Sequence, residues 1–308
     1  MITPVRPMLA AAISDISQLV FPLIGTPKID GIRCLTLPTT EESAEGDICS
    51  PVTRALKPIP NRHVRRRIAR ECSPGLDGEL IIPTATFQQV SSYIMGYSGE
   101  PEFEYHVFDH LLMLRDTRWT KGVLEAYRDR LSRLCHMKLP VFCHVIPHTH
   151  CPGAREVEKF EDECVEGGYE GICLRAPHSP YKFGRSTLKE HWLLKLKRFQ
   201  DDEAIVIGAE ELMRNQNEVE VSALGYQERC SKSAGLIPGN TLGALLVRDV
   251  KTGVEFAVGS GFSQNERLEL WAGRDALIGR TLTYRHQPHG AKDRPRIPIF
   301  KGWRRAGE

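Results

Sequence analysis

Near residue 200 the pattern of the sequence changes, and this change constrains the fold more than any other feature. Before it, short apolar runs with strand character alternate with longer stretches of helical spacing. After it, short strand-like runs separated by turn residues follow one another. The chain of 308 residues is long enough for two domains. We therefore predict an α+β domain over residues 1–200 and a mainly β domain over residues 201–308.

The first part combines predicted strands with predicted helices. From Val123 to Met137, apolar residues recur at helical spacing with charged residues between them. A second helix is predicted from Arg155 to Gly167, where a pair of glycines ends it. The predicted strands are Leu23–Gly25, Gly31–Leu37, Gly78–Ile82, Tyr105–Asp109, Gly171–Arg175 and Trp192–Lys197.

The second part has the pattern of a small β domain. Its predicted strands are Ala204–Gly208, Glu218–Val221, Gly243–Val247, Val254–Val258 and Arg280–Arg285. About five short strands over roughly a hundred residues favour a small closed β-barrel. The range from Asn215 to Asn240 contains a polar segment that is predicted to be a mobile loop.

The overall composition is that of a globular chain, with 41% hydrophobic and 26% charged residues. No apolar run approaches the ~18 residues that a membrane-spanning helix needs, so we expect no membrane partner. The nine cysteines form no CxxC pair and no regular framework, which predicts reduced thiols in a cytoplasmic protein. The composition argues against a membrane protein and against a secreted disulfide scaffold.

Basic residues are concentrated in three segments of a nearly neutral chain, whose formal net charge is +2. Residues 50–69 contain six bases and no acid, residues 182–198 six bases and one acid, and residues 280–305 eight bases and one acid. Any one of these segments by itself favours a solvated surface. The three together make a polyanionic partner as well supported as a set of solvated faces, so the charge pattern alone does not decide between them.

The segment Lys28-Ile29-Asp30-Gly31-Ile32-Arg33 has the clearest chemical pattern. A lysine becomes a nucleophile only after it loses its proton, which burial or neighbouring cations favour by lowering its pKa. Lys28 follows a predicted strand and precedes the turn-prone pair Asp30-Gly31, so the backbone would hold it rigidly. Arg33 can reach back over a phosphate. By itself this pattern also occurs in surface turns, so its meaning depends on what accompanies it.

Further segments supply the groups that such a lysine would need. Glu79 and Glu170 are carboxylates at strand starts, and Phe108, near a strand end, offers an aromatic face for a base. Lys195 and Lys197 lie two residues apart, so a strand places both ammonium groups on one face. A lysine nucleophile, an aromatic platform, carboxylates and phosphate-binding cations are what nucleotidyl transfer from a triphosphate requires.

In this order, the five segments resemble the motifs of the covalent nucleotidyltransferase superfamily, most closely those of small, bacteriophage-like ATP-dependent DNA ligases. The resemblance covers nearly the whole chain, and five ordered motifs are far more specific than any one of them. It implies a nucleotidyltransferase (adenylation) domain followed by an OB-fold domain. It also implies a monomeric enzyme in the cytoplasm of a bacterial or phage-infected cell.

The resemblance also implies roles for the matching residues and for the cofactors ATP and Mg²⁺, with Mn²⁺ as an alternative metal. The implied site contains the nucleophile Lys28, the phosphate-binding Arg33, Lys195 and Lys197, the ribose-binding Glu79, the adenine-stacking Phe108 and the metal ligands Glu79 and Glu170. In the C-terminal segment 294–300, Arg296 is preferred over Arg294 as the residue that meets the triphosphate.

Three residues are predicted to contact DNA, and the implied partner is nicked duplex DNA bound mainly through its phosphates. Arg54 occupies the place of a family arginine that touches the nick phosphate, although Ala55-Leu56-Lys57 replaces the usual small-residue turn. Lys182 and Arg185 lie in a stretch, residues 181–186, that resembles the ligase segment before the paired lysines.

Two other interpretations stay open at this point. An RNA ligase or an mRNA-capping guanylyltransferase of the same superfamily shares the KxDGxR chemistry, and the identity of the nucleotide attached to Lys28 separates a capping enzyme from an ATP-dependent ligase. A non-enzymatic OB-type nucleic-acid-binding protein is the third possibility. The presence of Lys28, Glu79, Glu170, Lys195 and Lys197 argues against it, because a binding protein has no need of all five.

Overall fold

The computed structural model describes residues 5–39, 43–112, 122–197, 199–230, 232–287 and 294–304. Contacts divide the chain into two compact units, residues 1–197 and residues 198–308. None of the helices among the described residues has both the length and the apolar character that crossing a membrane requires. All nine cysteines are free thiols.

The first unit is built from strands and helices, which confirms the predicted α+β class. Its strands are Met8–Leu9 (β1), Ala11–Ile13 (β2), Leu23–Pro27 (β3), Ile32–Pro38 (β4), Cys49–Thr53 (β5), Leu76–Ile81 (β6), Glu104–His110 (β7), Gly122–Val123 (β8), Cys143–Val145 (β9), Thr149–Cys151 (β10), Ile172–Arg175 (β11), Tyr181–Lys182 (β12), Gly184–Arg185 (β13) and Leu194–Leu196 (β14). Its helices are Arg62–Glu71 (α1), Phe87–Met95 (α2), Tyr127–His136 (α3) and Ala154–Glu166 (α4).

Two five-stranded sheets form the frame of this unit. One has the strand order β5-β4-β6-β7-β9 and packs against α1, α2 and α3, with a core around Ile68, Leu80 and Leu134. The other has the order β10-β3-β11-β14-β2 and packs against α4, with a core around Leu23 and Leu174. The apolar stripes of α1, α2 and α3 are therefore buried against one sheet and that of α4 against the other.

The chain crosses from one sheet to the other between β3 and β4, and this crossing contains Lys28. The backbone N–H of Lys28 donates to the Gly171 carbonyl at 2.9 Å, which fixes the lysine beside the start of β11. A Cβ at Gly31 would lie 2.4 Å from the Leu80 carbonyl oxygen, so this close approach requires glycine. The strands predicted on either side of the Asp30-Gly31 turn are confirmed, but they pair in different sheets and form no hairpin.

The helices show where sequence periodicity is informative and where it is not. α4 matches its prediction to within one residue at each end. α3 begins at Tyr127 rather than Val123, because Gly122–Val123 pairs with β12 as a short strand. The sequence does not predict α1, since its five arginines obscure the stripe of Val64, Ile68 and Ala69 that it buries.

The second unit consists mainly of strands, as predicted. They are Gln200–Asn215 (β15), Val219–Val221 (β16), Gln227–Arg229 (β17), Leu236–Asp249 (β18), Glu255–Val258 (β19), Thr281–Gln287 (β20) and Arg296–Trp303 (β21), with one α-helix, Gln264–Ala272 (α5), among the described residues. The core of this unit is formed by residues such as Val206, Leu245, Leu282 and Phe300.

The prediction of a closed barrel in this unit is wrong. The sheet order β19-β18-β15-β20-β21 is open, and in the described part of the chain its two edges meet at a single bridge, between Ser260 and Ile299. β15 and β18 are 16 and 14 residues long and pair over most of that length. Their backbone groups are therefore satisfied along one extended ladder rather than by closure between the edge strands.

The strand predicted at Glu218–Val221 is present as β16, but the prediction of a mobile loop within residues 215–240 is wrong for most of that segment. β15 continues to Asn215, β18 begins at Leu236, and β16 and β17 form a hairpin between them. The side-chain amides of Asn215 and Asn217 donate to the Cys230 carbonyl at 2.8 and 2.9 Å. Polar side chains here bind the backbone and stabilise the hairpin.

Candidate active site

A cavity of about 540 Å³ in the first unit brings together many of the residues that the sequence predicts for the site. The predicted residues that line it are Lys28, Arg33, Arg54, Glu79, Phe108, Arg185 and Lys195. Arg33, Glu79 and Phe108 come from one five-stranded sheet and Lys195 from the other. Groups that are far apart in sequence therefore meet where the chain crosses between the sheets.

Lys28 forms an ion pair with Glu170. Its Nζ lies 2.5 Å from Glu170 Oε2, and Lys197 Nζ lies 2.7 Å from the same oxygen. Burial alone would lower the pKa of Lys28, but Glu170 raises it above its ordinary value. Burial alone would raise the pKa of Glu170, but the two ammonium groups hold it well below its usual range. In the ligand-free protein Lys28 is therefore an ammonium ion rather than the free amine that attack requires.

Lys195 and Lys197 contribute to the site in different ways. β14 ends at Leu196, so Lys195 is the lysine that belongs to the strand. It lies opposite Cys173 and lines the cavity, where burial and the neighbouring Lys28 lower its pKa. Lys197 instead binds Glu170, the carboxylate that also binds Lys28. Both ammonium groups thus influence Lys28 or its partner Glu170, although only Lys195 belongs to β14 and lines the cavity.

Arg33 is held by the buried Asp77. Its Nε and Nη2 donate to the two carboxylate oxygens at 2.5 and 2.7 Å, and the Tyr181 hydroxyl donates to Asp77 at 2.6 Å. Burial would lower the pKa of Arg33, but Asp77 raises it, so the guanidinium stays charged. Nη2 also donates to the Met8 carbonyl at 3.3 Å. The guanidinium lies 4.6 Å from the Phe108 ring centroid, and among the described residues its Nη1 makes no hydrogen bond, which leaves Nη1 for a phosphate.

Glu79 has a half-buried carboxylate that makes no hydrogen bond or ion pair with any described residue. Burial raises its pKa to about 7, against the opposing effects of Arg33 and Lys28. The described side chains include no group of three or more that could hold a metal by themselves. Mg²⁺, however, is usually bound by one or two carboxylates together with substrate phosphates. Glu79 fits such a site, whereas two lysines already neutralise Glu170.

We expect Glu79→Gln to stabilise the ligand-free protein at pH 8 more than at pH 5. The pKa of Glu79 in the folded state, about 7, lies above the ordinary 4.5, so its ionisation opposes folding as the pH rises through this range. The amide removes a cost of roughly 1–3 kcal/mol at pH 8. Urea unfolding at both pH values measures the gain. Glu102→Gln, at an exposed carboxylate, is the control, and an equal gain at both pH values would contradict the expectation.

A buried ion-pair network lies next to Phe108. The Asp109 carboxylate accepts hydrogen bonds from Arg130 Nε at 2.8 Å and Nη2 at 3.1 Å, and from Arg175 Nη1. Burial would raise the pKa of Asp109, but the two arginines lower it to about 2. The Arg175 guanidinium lies 4.5 Å from the ring centroid of Tyr127 and 5.8 Å from that of Phe108, and both rings line the cavity. The network therefore supports the aromatic wall of the cavity.

Of the other predicted site residues, Lys182 and Arg296 do not line the cavity, whereas Arg54 and Arg185 do. Lys182 does not line the cavity, and its Nζ contacts both carboxylate oxygens of Glu190 at 2.7 and 2.9 Å. Arg296 begins β21 in the second unit. Arg54 and Arg185 line the cavity and are exposed. The roles of these residues toward DNA and the triphosphate stay predictions. The residues of the basic segments that lie outside the described residues are Arg198, Lys292, Asp293 and Arg305.

Three residues that line the cavity are not identified as site residues from the sequence: Tyr127, Arg175 and Met95. Helical spacing places Tyr127 on the apolar face of α3 but does not show that this face reaches the cavity. Arg175 stands in a predicted strand, and an arginine in a buried strand is a signal for a buried carboxylate that could have been used. Met95 belongs to α2, which the sequence does not predict.

Family models match both parts of the chain. The ATP dependent DNA ligase domain matches residues 7–197, which include every residue that lines the cavity, and the DNA ligase OB-like domain matches residues 238–304. A search of curated proteins found no match.

Solved DNA ligase structures are similar to the chain over nearly its whole length. The Chlorella virus DNA ligase-adenylate is 28% identical, with 99% of each chain covered and a TM-score of 0.53. A structure of the Lig E DNA ligases shares the fold at 22% identity, with 97% of this chain and 99% of that chain covered and a TM-score of 0.70. With a family model that spans more than half of its residues, the chain belongs to the ATP-dependent DNA ligase family.

Proposed function

We propose that this DNA ligase uses ATP to seal nicks with a 5′-phosphate and a 3′-hydroxyl in duplex DNA, through a covalent adenylate on Lys28. The position of Lys28 carries the proposal, because it lines the same cavity as Glu79, Phe108 and Lys195. Phe108 provides a face for adenine, the lysines and Arg33 provide charge for phosphates, and Glu79 accepts a ribose hydroxyl. These are the groups that nucleotidyl transfer needs.

In the first step Lys28 Nζ attacks the α-phosphorus of ATP. The P–N bond forms as the bond to the pyrophosphate oxygen breaks, so pyrophosphate leaves with the bonding electron pair. Nζ must lose a proton, and Glu170, 2.5 Å away, is its nearest acceptor. Lys195, whose pKa is lowered by burial and by Lys28, approaches the phosphates from β14. Positioning and charge neutralisation account for most of the catalysis in such transfers.

In the second step a 5′-phosphate oxygen of the nick attacks the same phosphorus, the P–N bond breaks and Lys28 recovers its proton. In the third step the 3′-hydroxyl attacks the 5′-phosphorus, loses its proton, and AMP leaves as the phosphodiester forms. Arg33 serves both of these steps, because Asp77 fixes its guanidinium in the cavity while Nη1 remains for a phosphate.

A divalent cation and a DNA partner complete the proposal. Mg²⁺ or Mn²⁺ held at Glu79 would neutralise phosphate charge. Nicked duplex DNA would be bound through its phosphates by basic residues that include Arg54, Lys182 and Arg185. We propose that the protein acts as a monomer, which light scattering with and without DNA tests directly.

Covalent labelling tests the proposal. The protein is incubated with Mg²⁺ and α-labelled ATP or GTP, and label that survives denaturation is measured. We expect label from ATP that pyrophosphate removes, followed by sealing of a nicked DNA duplex. Label from GTP alone would indicate capping chemistry, and label with sealing restricted to RNA would indicate an RNA ligase. Folded protein that takes no label from either nucleotide would overturn the enzyme proposal.

A further inference from the structure

Two helices of the first unit have opposite charge. α1 contains five arginines and one acid, whereas α4 contains six acids and two bases. They pack against different sheets, α1 on β5 and α4 on β10, β11 and β3. Of these two helices, α1 therefore carries the surface that attracts a polyanion, and α4 the surface that repels one.

Some arginines of α1 are engaged within the protein. Arg65 Nη1 donates to the Ile59 carbonyl at 3.2 Å. Arg67 Nε lies 3.4 Å from Glu71, and its guanidinium lies 4.6 Å from the ring centroid of Phe142. These two side chains pack on their own fold, so their charges are already partly committed.

The other three arginines form an exposed row, which we call the α1 arginine row: Arg62, Arg66 and Arg70. Residues four apart lie on one face of a helix, so the three side chains project along the same side. Among the described residues, the guanidinium groups of Arg62 and Arg66 have no hydrogen bond or ion pair. Arg70 is half exposed, and its Nε is 3.9 Å from Asp47, at the limit of an ion pair.

The row leads away from the cavity. The N–H of Ile48, just before β5, donates to the Ala69 carbonyl at 2.7 Å, so the end of α1 lies beside the start of β5. Arg65 of α1 donates to the Ile59 carbonyl, and the Ile59 N–H donates to the Pro51 carbonyl of β5 at 3.3 Å, so α1 runs back along β5 toward the end that the cavity-lining Arg54 follows. From Arg62 to Arg70 the helix rises about 12 Å.

We propose that the α1 arginine row binds the phosphate backbone of duplex DNA on one side of the nick. The inference rests on the proposed function, since it takes DNA as the substrate, and adds where the duplex lies on the first unit. Measured along the duplex axis, about 12 Å contains three to four phosphates of one strand. Guanidinium groups bind phosphates through paired N–H donors, and such contacts position the duplex without reading its bases.

The salt dependence of DNA binding tests the row. Affinity for a nicked duplex is measured by fluorescence anisotropy in EDTA between 50 and 200 mM KCl. Each lost phosphate contact reduces the slope of log affinity against log salt by about 0.9, so Arg62→Gln with Arg66→Gln should reduce it by about 1.8. The affinity ratio of wild type to this variant should then shrink about tenfold across the range. Adding Arg70→Gln should bring the reduction to about 2.7.

Matched variants distinguish direct contact with DNA phosphates from a general effect of the protein's net charge. Arg155→Gln with Lys159→Gln removes the same charge from the exposed surface of α4 and should leave the slope unchanged. Arg62→Lys with Arg66→Lys keeps the charge and should keep the slope. An unchanged slope in the glutamine variant, or an equal reduction in the α4 variant, would overturn the proposal. If the double variant does not fold, the single variants should each reduce the slope by about 0.9.

The duplex geometry supplies a second readout. Shortening the DNA on one side of the nick should abolish the difference between wild type and variant, while shortening it on the other side should preserve that difference. Equal effects on both sides would contradict a row that serves one flank. Failure of the proposed function can be told apart from failure of this inference. If the proposed function is wrong, the wild-type protein itself should take no label from ATP and should bind nicked DNA no better than intact DNA.

Discussion

A Lys28→Ala variant should form no covalent adenylate and should lose nick sealing by at least about 10³-fold, the scale on which the loss of a covalent nucleophile is measured. The physical reason is that the proposed route forms a P–N bond, and alanine has no nitrogen on which to form it. Denaturing gels with α-labelled ATP measure the adenylate, and a nicked, end-labelled duplex measures sealing.

The control for this variant uses the order of the proposed steps. A nick that already carries a 5′-adenylate needs no P–N bond, so Lys28→Ala should retain measurable sealing of that substrate. Lys159→Ala, at an exposed lysine of α4, should behave as wild type in all three assays. Covalent label on the Lys28→Ala protein would show that another side chain is the nucleophile and would overturn the assignment.

The second large effect concerns stability. Asp109→Ala should destabilise the first unit by about 3–5 kcal/mol, because it leaves Arg130 and Arg175 buried without their counter-ion. This corresponds to a fall in melting temperature of roughly 10 °C for a unit of this size. Urea unfolding at pH 7 measures the change in the free energy of unfolding, and thermal unfolding checks it.

Glu71→Ala is the matched control, because it removes a carboxylate whose ion pair with Arg67 is largely solvent-exposed, with side chains 39% and 46% accessible. Exposed pairs of this kind contribute about 1 kcal/mol or less. A loss for Asp109→Ala no greater than that for Glu71→Ala would refute the structural role of the network. Because the pKa of Asp109 is depressed to about 2, its contribution is present above the ordinary 3.8 and should disappear as the pH falls through 2.

The local sequence pattern predicts a helix correctly where charged residues do not obscure the spacing of its apolar residues. α4 shows a clear period of apolar residues and was predicted to within one residue, whereas α1 conceals Val64 and Ile68 among arginines. The hairpin within residues 215–240 has the polar composition of a loop. Its order comes from amide contacts such as that of Asn215 with the Cys230 carbonyl, which no local periodicity shows.

In the candidate site, too, some residues are recognisable from the sequence and others are not. The motif residues Lys28, Glu79 and Phe108 are recognisable because their chemistry depends on residue type and order along the chain. Their partners are not recognisable, since Asp77 and Asp109 gain their roles from arginines that the fold places beside them. Burial by itself would lower the pKa of Lys28, but Glu170, which the fold places in contact with it, raises that pKa.

By itself, the sequence determined the α+β and β halves, the order of the motifs and the class of chemistry, because these depend on residue identity and local spacing. The tertiary structure alone decided that the strands beside Lys28 belong to different sheets, that the β domain is open, and which charged groups are paired. Those properties depend on pairing and burial between distant segments. The structure also decides which arginines of α1 are available to a partner. Arg62 and Arg66 are exposed, whereas Arg65 binds the Ile59 carbonyl and Arg67 pairs with Glu71.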